Sequence, residues 1–135
     1  MEDHRFIDRL WEDWSPGYDA TFDVSKVKES IASPANLAAA IGYYRAMFDD
    51  STHLPAYGEA QAAAASPPPQ PTLYLHGAQD GCLGADIVGD VTGYLSNGSE
   101  QVTVPGAGHF LHVERPAIVN ERVLRFLSQD QTSSP

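Results

Sequence analysis

The sequence is short of basic residues, cysteine and long apolar runs, and each shortage excludes something. Eight Lys and Arg stand against 18 Asp and Glu, for a formal charge of −10. Nucleic acids and anionic membrane surfaces both recruit Lys and Arg, so neither is an expected partner. The single cysteine, Cys82, leaves no intrachain disulfide and fits a reducing compartment. No apolar run approaches the roughly 18 residues of a membrane span. The acidic start Met1-Glu-Asp is unlike a signal peptide. These absences point to a soluble, cytoplasmic protein. A hydrophobic share of 42% is ordinary for a folded chain, and 135 residues suffice for one real core.

What is present divides along the chain. Residues 1–55 read as helical. Phe6, Ile7, Leu10, Trp11 and Trp14 recur at helix spacing until Ser15-Pro16-Gly17 stops the pattern. Asp23 or Ser25 is placed to cap a second helix carrying Val24, Val27 and Ile31. Ser33 caps a third, with Pro34 in its first turn and Leu37, Ile41, Tyr44 and Phe48 along one face. Residues 56–71 form a connector. Ala60–Ala65 extends a helix, but Ser66-Pro-Pro-Pro-Gln-Pro71 lacks four amide donors and reads as a stiff, extended linker. Its flanks give no support to a proline-recognition motif.

Residues 72–128 change period. Thr72–His76 and Gln101–Val104 are short apolar runs suited to buried parallel strands. Asp86–Leu95 is expected to cross over as a helix weakened by Gly89 and Gly93, before a turn at Asn97-Gly98. Pro116 opens a last helix, with Val119, Val123, Phe126 and Leu127 on its buried face and Arg122 and Arg125 outside. Residues 129–135 read as a polar, frayed tail.

The chemistry gathers between Pro71 and Pro116. Each strand ends in a Gly-containing turn that carries one polar residue: Asp80 after the first, His109 after the second. A carboxylate and an imidazole at the carboxyl ends of neighbouring parallel strands make the acid–base half of a nucleophile–His–acid triad. Acid before histidine is the α/β-hydrolase chain order.

Leu-Tyr-Leu-His-Gly-Ala-Gln-Asp80-Gly-Cys and Pro-Gly-Ala-Gly-His109-Phe-Leu-His-Val-Glu-Arg-Pro resemble the last two active-site loops of the α/β-hydrolase superfamily, most closely its epoxide hydrolase and haloalkane dehalogenase branch. The resemblance implies the C-terminal portion of an α/β-hydrolase fold, its last two parallel strands and flanking helices, preceded by a helical lid at residues 1–55. One part of that pattern is missing. No Gly-x-Ser-x-Gly or Gly-x-Asp-x-Gly elbow occurs, and Gly93-Tyr-Leu-Ser96-Asn-Gly98 has the wrong spacing. The nucleophile, Asp or Ser, is therefore expected upstream of Met1, so that a missing N-terminal half or another chain completes the sheet.

By the same resemblance His109 is the general base and Asp80 orients it and stabilises the imidazolium. Tyr44, in Tyr43-Tyr44-Arg45, matches the lid tyrosine that protonates an epoxide oxygen, with Tyr43 as a neighbour able to substitute. Tyr18 and Tyr57 are weaker candidates for a second lid tyrosine. The implied substrate is a small organic molecule, and no cofactor is implied because water and the triad suffice. Open alternatives are a dehalogenase or esterase of the same fold, and an inactive fragment or partner-completing chain with exposed apolar surface.

Other residues carry weaker signals. His109, His112 and Glu114 offer metal-ligand types within a short span, but no second cluster supports them, so no metal is expected. Glu114 reads as a cap for the last helix or a partner for a nearby base, His76 as a core residue beside the site. Cys82 has no basic neighbour and reads as a small apolar filler.

Overall fold

In a computed structural model, the structure describes residues 4–64 and 66–129. These fall into two compact units. The residues up to Asp8 join Ala20–Pro67 in a helical unit, and Arg9–Asp19 join the residues from Pro68 onward in a unit built on a sheet. This differs from the boundary read in the sequence, which assigned Arg9–Asp19 to the helical segment. Local periodicity identifies a helix but not the surface it packs on. Helix α1 (Arg5–Trp14) runs across the boundary.

In the helical unit, α2 (Thr21–Ser30) begins with Ala20 at its N-cap and no side-chain cap, so neither Asp23 nor Ser25 takes the expected role. Ser25 instead donates its hydroxyl to the Phe22 carbonyl. Lys28 on α2 pairs with Asp8. Asn36 donates to the Ser30 carbonyl at 2.8 Å, fixing the turn into α3 (Pro34–Phe48). Here the expected cap is present: the Ser33 hydroxyl accepts from the Asn36 amide, and Pro34 fills the first turn, where a missing donor costs nothing. No residue of α3 is buried, and Tyr43 and Phe48 are 79% and 82% exposed. Helix α4 (Gly58–Ala64) follows and leads toward Pro67–Pro69; Ala65, at the end of the expected alanine helix, lies outside the described residues.

In the second unit, β1 (Leu73–Gly77) and β2 (Glu100–Val104) pair in parallel, Leu73 opposite Glu100 and Gly77 opposite Val104. A parallel pair needs a crossover. The expected helix over 86–95 is broken: α5 (Ala85–Val88) makes a single turn, and the backbone turns left-handed at Gly89. The Gln101 side chain holds the break open, accepting from the Val91 amide at 2.8 Å and donating to the Gly89 carbonyl at 2.7 Å. After β2 come the one-turn α6 (Leu111–Glu114) and α7 (Pro116–Gln129).

The half-buried stripe of α7 is Ile118, Val119, Arg122 and Phe126. It is rotated from the expected face, so Val123 and Leu127 are exposed and Arg122 lies on the inner side, where its aliphatic stem can cover apolar surface. The tail expected from residue 129 falls mostly outside the described residues. The most deeply buried apolar side chains are Val104 and Ala107, both at the carboxyl end of β2. That is where the polar residues converge.

Candidate active site

The loops leaving β1 and β2 are laced to each other. The Ala78 amide donates to the Val104 carbonyl at 2.9 Å, and the Gln79 amide to the Ala107 carbonyl at 2.8 Å. Both loops are also tied to the end of α1. The Trp14 carbonyl, one of the last-turn oxygens that a helix leaves unpaired, accepts from the Gly81 amide at 3.1 Å and the His109 amide at 3.0 Å. This approach needs glycine. A Cβ at Gly81 would stand 1.9 Å from the Asp13 carbonyl oxygen, and one at Gly108 would stand 2.6 Å from the Ser15 Cα.

Aromatic packing completes the dock. Trp11 stacks on Phe110 with ring centroids 3.8 Å apart, and Trp14 meets the His109 ring edge-on at 4.8 Å. Beneath them Glu114 acts as a clamp. Its carboxylate accepts from the Gly108 amide at 2.7 Å, the Phe110 amide at 3.0 Å and the Ser15 hydroxyl at 2.7 Å. Glu114 therefore neither caps α7 nor pairs with a base; Arg115 donates to its carbonyl oxygen, not to its carboxylate. Burial of this carboxylate is tolerated because three donors satisfy it.

On this scaffold Asp80 and His109 meet. His109 Nδ1 lies 3.0 Å from Asp80 Oδ2 and 3.2 Å from Oδ1. Oδ1 also accepts from the amides of Cys82 and Leu83, at 2.8 and 2.9 Å, so the carboxylate is held by its own turn as well as by the ring. Burial alone would raise the Asp80 pKa. The Leu83 amide, the His109 ring and the Cys82 amide outweigh it and hold the carboxyl below its ordinary value. Asp80 is nearly enclosed, whereas the His109 side chain is 29% exposed and its Nε2 has no partner among the described residues. An imidazole oriented from one nitrogen and open at the other can accept a proton on the open side.

His76 is buried beside the pair, as expected. Its Nε2–H donates to the Leu83 carbonyl at 2.8 Å, the Tyr74 hydroxyl meets Nδ1 at 2.8 Å, and Nε2 stands 3.8 Å from Asp80 Oδ2. Burial, then the Asp80 charge, raises the Tyr74 pKa. The same two causes raise that of the Cys82 thiol, which suits a filler more than a nucleophile.

The span His109, His112 and Glu114 does not converge. His112 is exposed on α6 and Glu114 is committed to backbone amides. The ligand types that do converge are Asp80, Cys82 and His109. Tyr44 lies on α3 in the helical unit, 57% exposed, with Tyr43 beside it. A recess of about 160 Å³, lined in part by Tyr18, Gln79, Gly106, Glu114 and Arg115, adjoins the Glu114 clamp. It is smaller than the roughly 300 Å³ at which small-molecule pockets begin.

Sequence reasoning missed Trp14, Ser15 and the clamping role of Glu114. Ser15-Pro16-Gly17 signals only that a helix stops, and nothing local signals a partner near residue 110.

With an oriented carboxylate–imidazole pair on two parallel-strand loops in view, comparison with known proteins becomes informative. The chain is similar to an AB hydrolase superfamily protein. That relative is YfhM of Bacillus subtilis (strain 168), 28% identical over 113 residues, which cover 83% of this chain. The match covers 36% of YfhM, so the chain spans about a third of that protein's length. No family model and no solved structure matches. The mixed helices and parallel strand pair are compatible with part of an α/β fold of the kind that relative's superfamily name denotes. Among the described residues no helix is long and apolar enough to cross a membrane.

Proposed function

We propose that the chain carries the acid–base half of an epoxide-hydrolase-like active site that adds water to a small organic substrate. The observation that carries this reading is the contact of His109 Nδ1 with both oxygens of an Asp80 carboxylate that its own turn holds in place. In this reading the nucleophile lies outside the 135 residues. An Asp carboxylate opens the epoxide and becomes esterified to it, whereas a Ser, deprotonated first by His109, would instead take the acyl group of an ester substrate and release its alcohol. His109 Nε2 then takes a proton from water as the water attacks the ester carbonyl. Asp80 stabilises the imidazolium, which returns the proton to the departing oxygen. Tyr44 is assigned the hydroxyl that protonates the epoxide oxygen as the ring opens.

The sequence of the pair does not choose between an epoxide, an alkyl halide and an ester, since each ends in hydrolysis of a covalent intermediate. A dehalogenase or esterase reading thus stands beside the first.

The test is turnover by the natural gene product, isolated from its own cells, on short epoxides, haloalkanes and esters. His109→Gln and Asp80→Asn are each expected to lower turnover by about a thousandfold or more. Tyr44→Phe should slow epoxide opening alone. Hydrolysis that survives His109→Gln unchanged overturns the proposal.

A further inference from the structure

The hydrolytic reading leaves one neighbour of the Asp80–His109 pair unused. The ligand atoms of Asp80, Cys82 and His109 all lie within 4.8 Å of one another. A carboxylate oxygen, a thiol sulfur and an imidazole nitrogen on one small patch form a donor set of the kind that holds zinc. We propose that these three residues form a binding site for a thiophilic divalent cation, Zn²⁺ in the first instance.

Geometry supports the assignment. Tetrahedral zinc, with bonds of about 2.0 Å to nitrogen and oxygen and about 2.3 Å to sulfur, separates N from O by about 3.3 Å and S from either by about 3.5 Å. His109 Nδ1 and the Asp80 oxygens already stand 3.0 and 3.2 Å apart. The sulfur, no more than 4.8 Å from its partners, needs to close by about 1.3 Å at most relative to that ideal. Cys82 is only partly buried, so a side-chain rotation can supply the movement.

The turn also does for the carboxylate what outer hydrogen bonds do in metal sites. The amides of Cys82 and Leu83 hold Oδ1, which fixes the plane of the group and leaves Oδ2 directed at His109. Three protein ligands leave a fourth position for water, and the partly exposed His109 gives a route in. Thiolate and imidazole together select Zn²⁺ or Cd²⁺ over Mg²⁺ and Ca²⁺.

Binding replaces a proton. Cys82 releases its thiol proton to solvent. If the metal takes Nδ1, the proton on that nitrogen is displaced to Nε2, the atom that the hydrolytic reading needs open. Metal would then block catalysis reversibly; this consequence rests on that reading, whereas binding itself does not.

The test uses the full chain stripped of metal with a chelator. Titration with Cd²⁺ should give one equivalent with a thiolate-to-metal ultraviolet band, and Zn²⁺ should displace it. Cys82→Ser should weaken Zn²⁺ at least tenfold in competition with a chromophoric chelator, while His112→Ala, a change at an exposed histidine, should not alter it. The band in the unmodified chain needs no variant to fold. Absence of that band overturns the proposal. So does Zn²⁺ affinity unchanged in Cys82→Ser, or lowered equally by His112→Ala. None of these results touches the hydrolytic reading, which stands or falls on turnover by the His109 variant.

Discussion

The Ser15 hydroxyl donates to Glu114 Oε1 at 2.7 Å across 99 positions of chain, joining the end of α1 to the end of the histidine loop. Both side chains are buried. Ser15→Ala removes one donor and leaves the carboxylate its two amides, and is expected to cost about 1–2 kcal/mol. Glu114→Ala strands the Gly108 amide and the buried Ser15 hydroxyl together and leaves the Phe110 amide only a long 3.5 Å bond to Ser15 Oγ, at about 2–4 kcal/mol. Chemical denaturation of each variant checks the order, and a Glu114→Ala chain as stable as the parent would refute the clamp.

Two glycines should respond in opposite directions to alanine. Gly81→Ala drives a methyl into the Asp13 carbonyl, a backbone atom that cannot swing aside, and should cost more than about 2 kcal/mol. Gly42 lies inside α3 with nothing within 4 Å of an added Cβ. Gly42→Ala should add about 0.5–1 kcal/mol through helix propensity and a less free unfolded chain. Thermal melts of the pair read both signs.

Acid should loosen the site. The Asp80 carboxyl is held below its ordinary value in the folded chain, so its contribution to stability is fully present above the unfolded carboxylate pKa. It is lost as pH falls through the depressed folded value. In metal-free buffer, Asp80→Asn should flatten the acid limb of the stability–pH curve. An unaltered limb would mean that the carboxylate gains nothing from its partners.

Gln101→Leu keeps the strand position but removes both bonds that hold the crossover. A cost of about 1–2 kcal/mol is expected, together with faster amide exchange at Val91. Exchange at Val91 equal to the parent's would show that Gly89 alone sets the break.

The features readable in the sequence were those set by near neighbours. Pro71 and Gly77 bracket an apolar run too short for a helix, and β1 covers that run from Leu73 and ends on Gly77 itself. Ser33 and Pro34 announce α3 because cap and first turn are local chemistry. Asp80 and His109 were legible because each follows a strand in a glycine turn, and parallel pairing brings the two turns side by side. Partners distant in sequence were not legible. The Glu114 carboxylate looked free to cap the next helix, but the Ser15 hydroxyl, 99 positions away, claims it together with the nearby Gly108 and Phe110 amides. The α7 stripe turned because a helix orients to what it packs on, and Arg122 has a stem long enough to lie on the inner side. Asp23 and Ser25 are sound capping residues, yet α2 starts ahead of both.

The Trp14 carbonyl has a practical consequence for anyone recombining this chain. Because one oxygen tethers both the acid loop and the base loop, the sheet-bearing part is inherited in two separate pieces. A chimaera that exchanges the helical segment should keep Arg9–Asp19 from the same parent as the strands and make its first crossover after Asp19. Cutting at the connector alone would import a foreign helix end, and with it a different seat for the histidine.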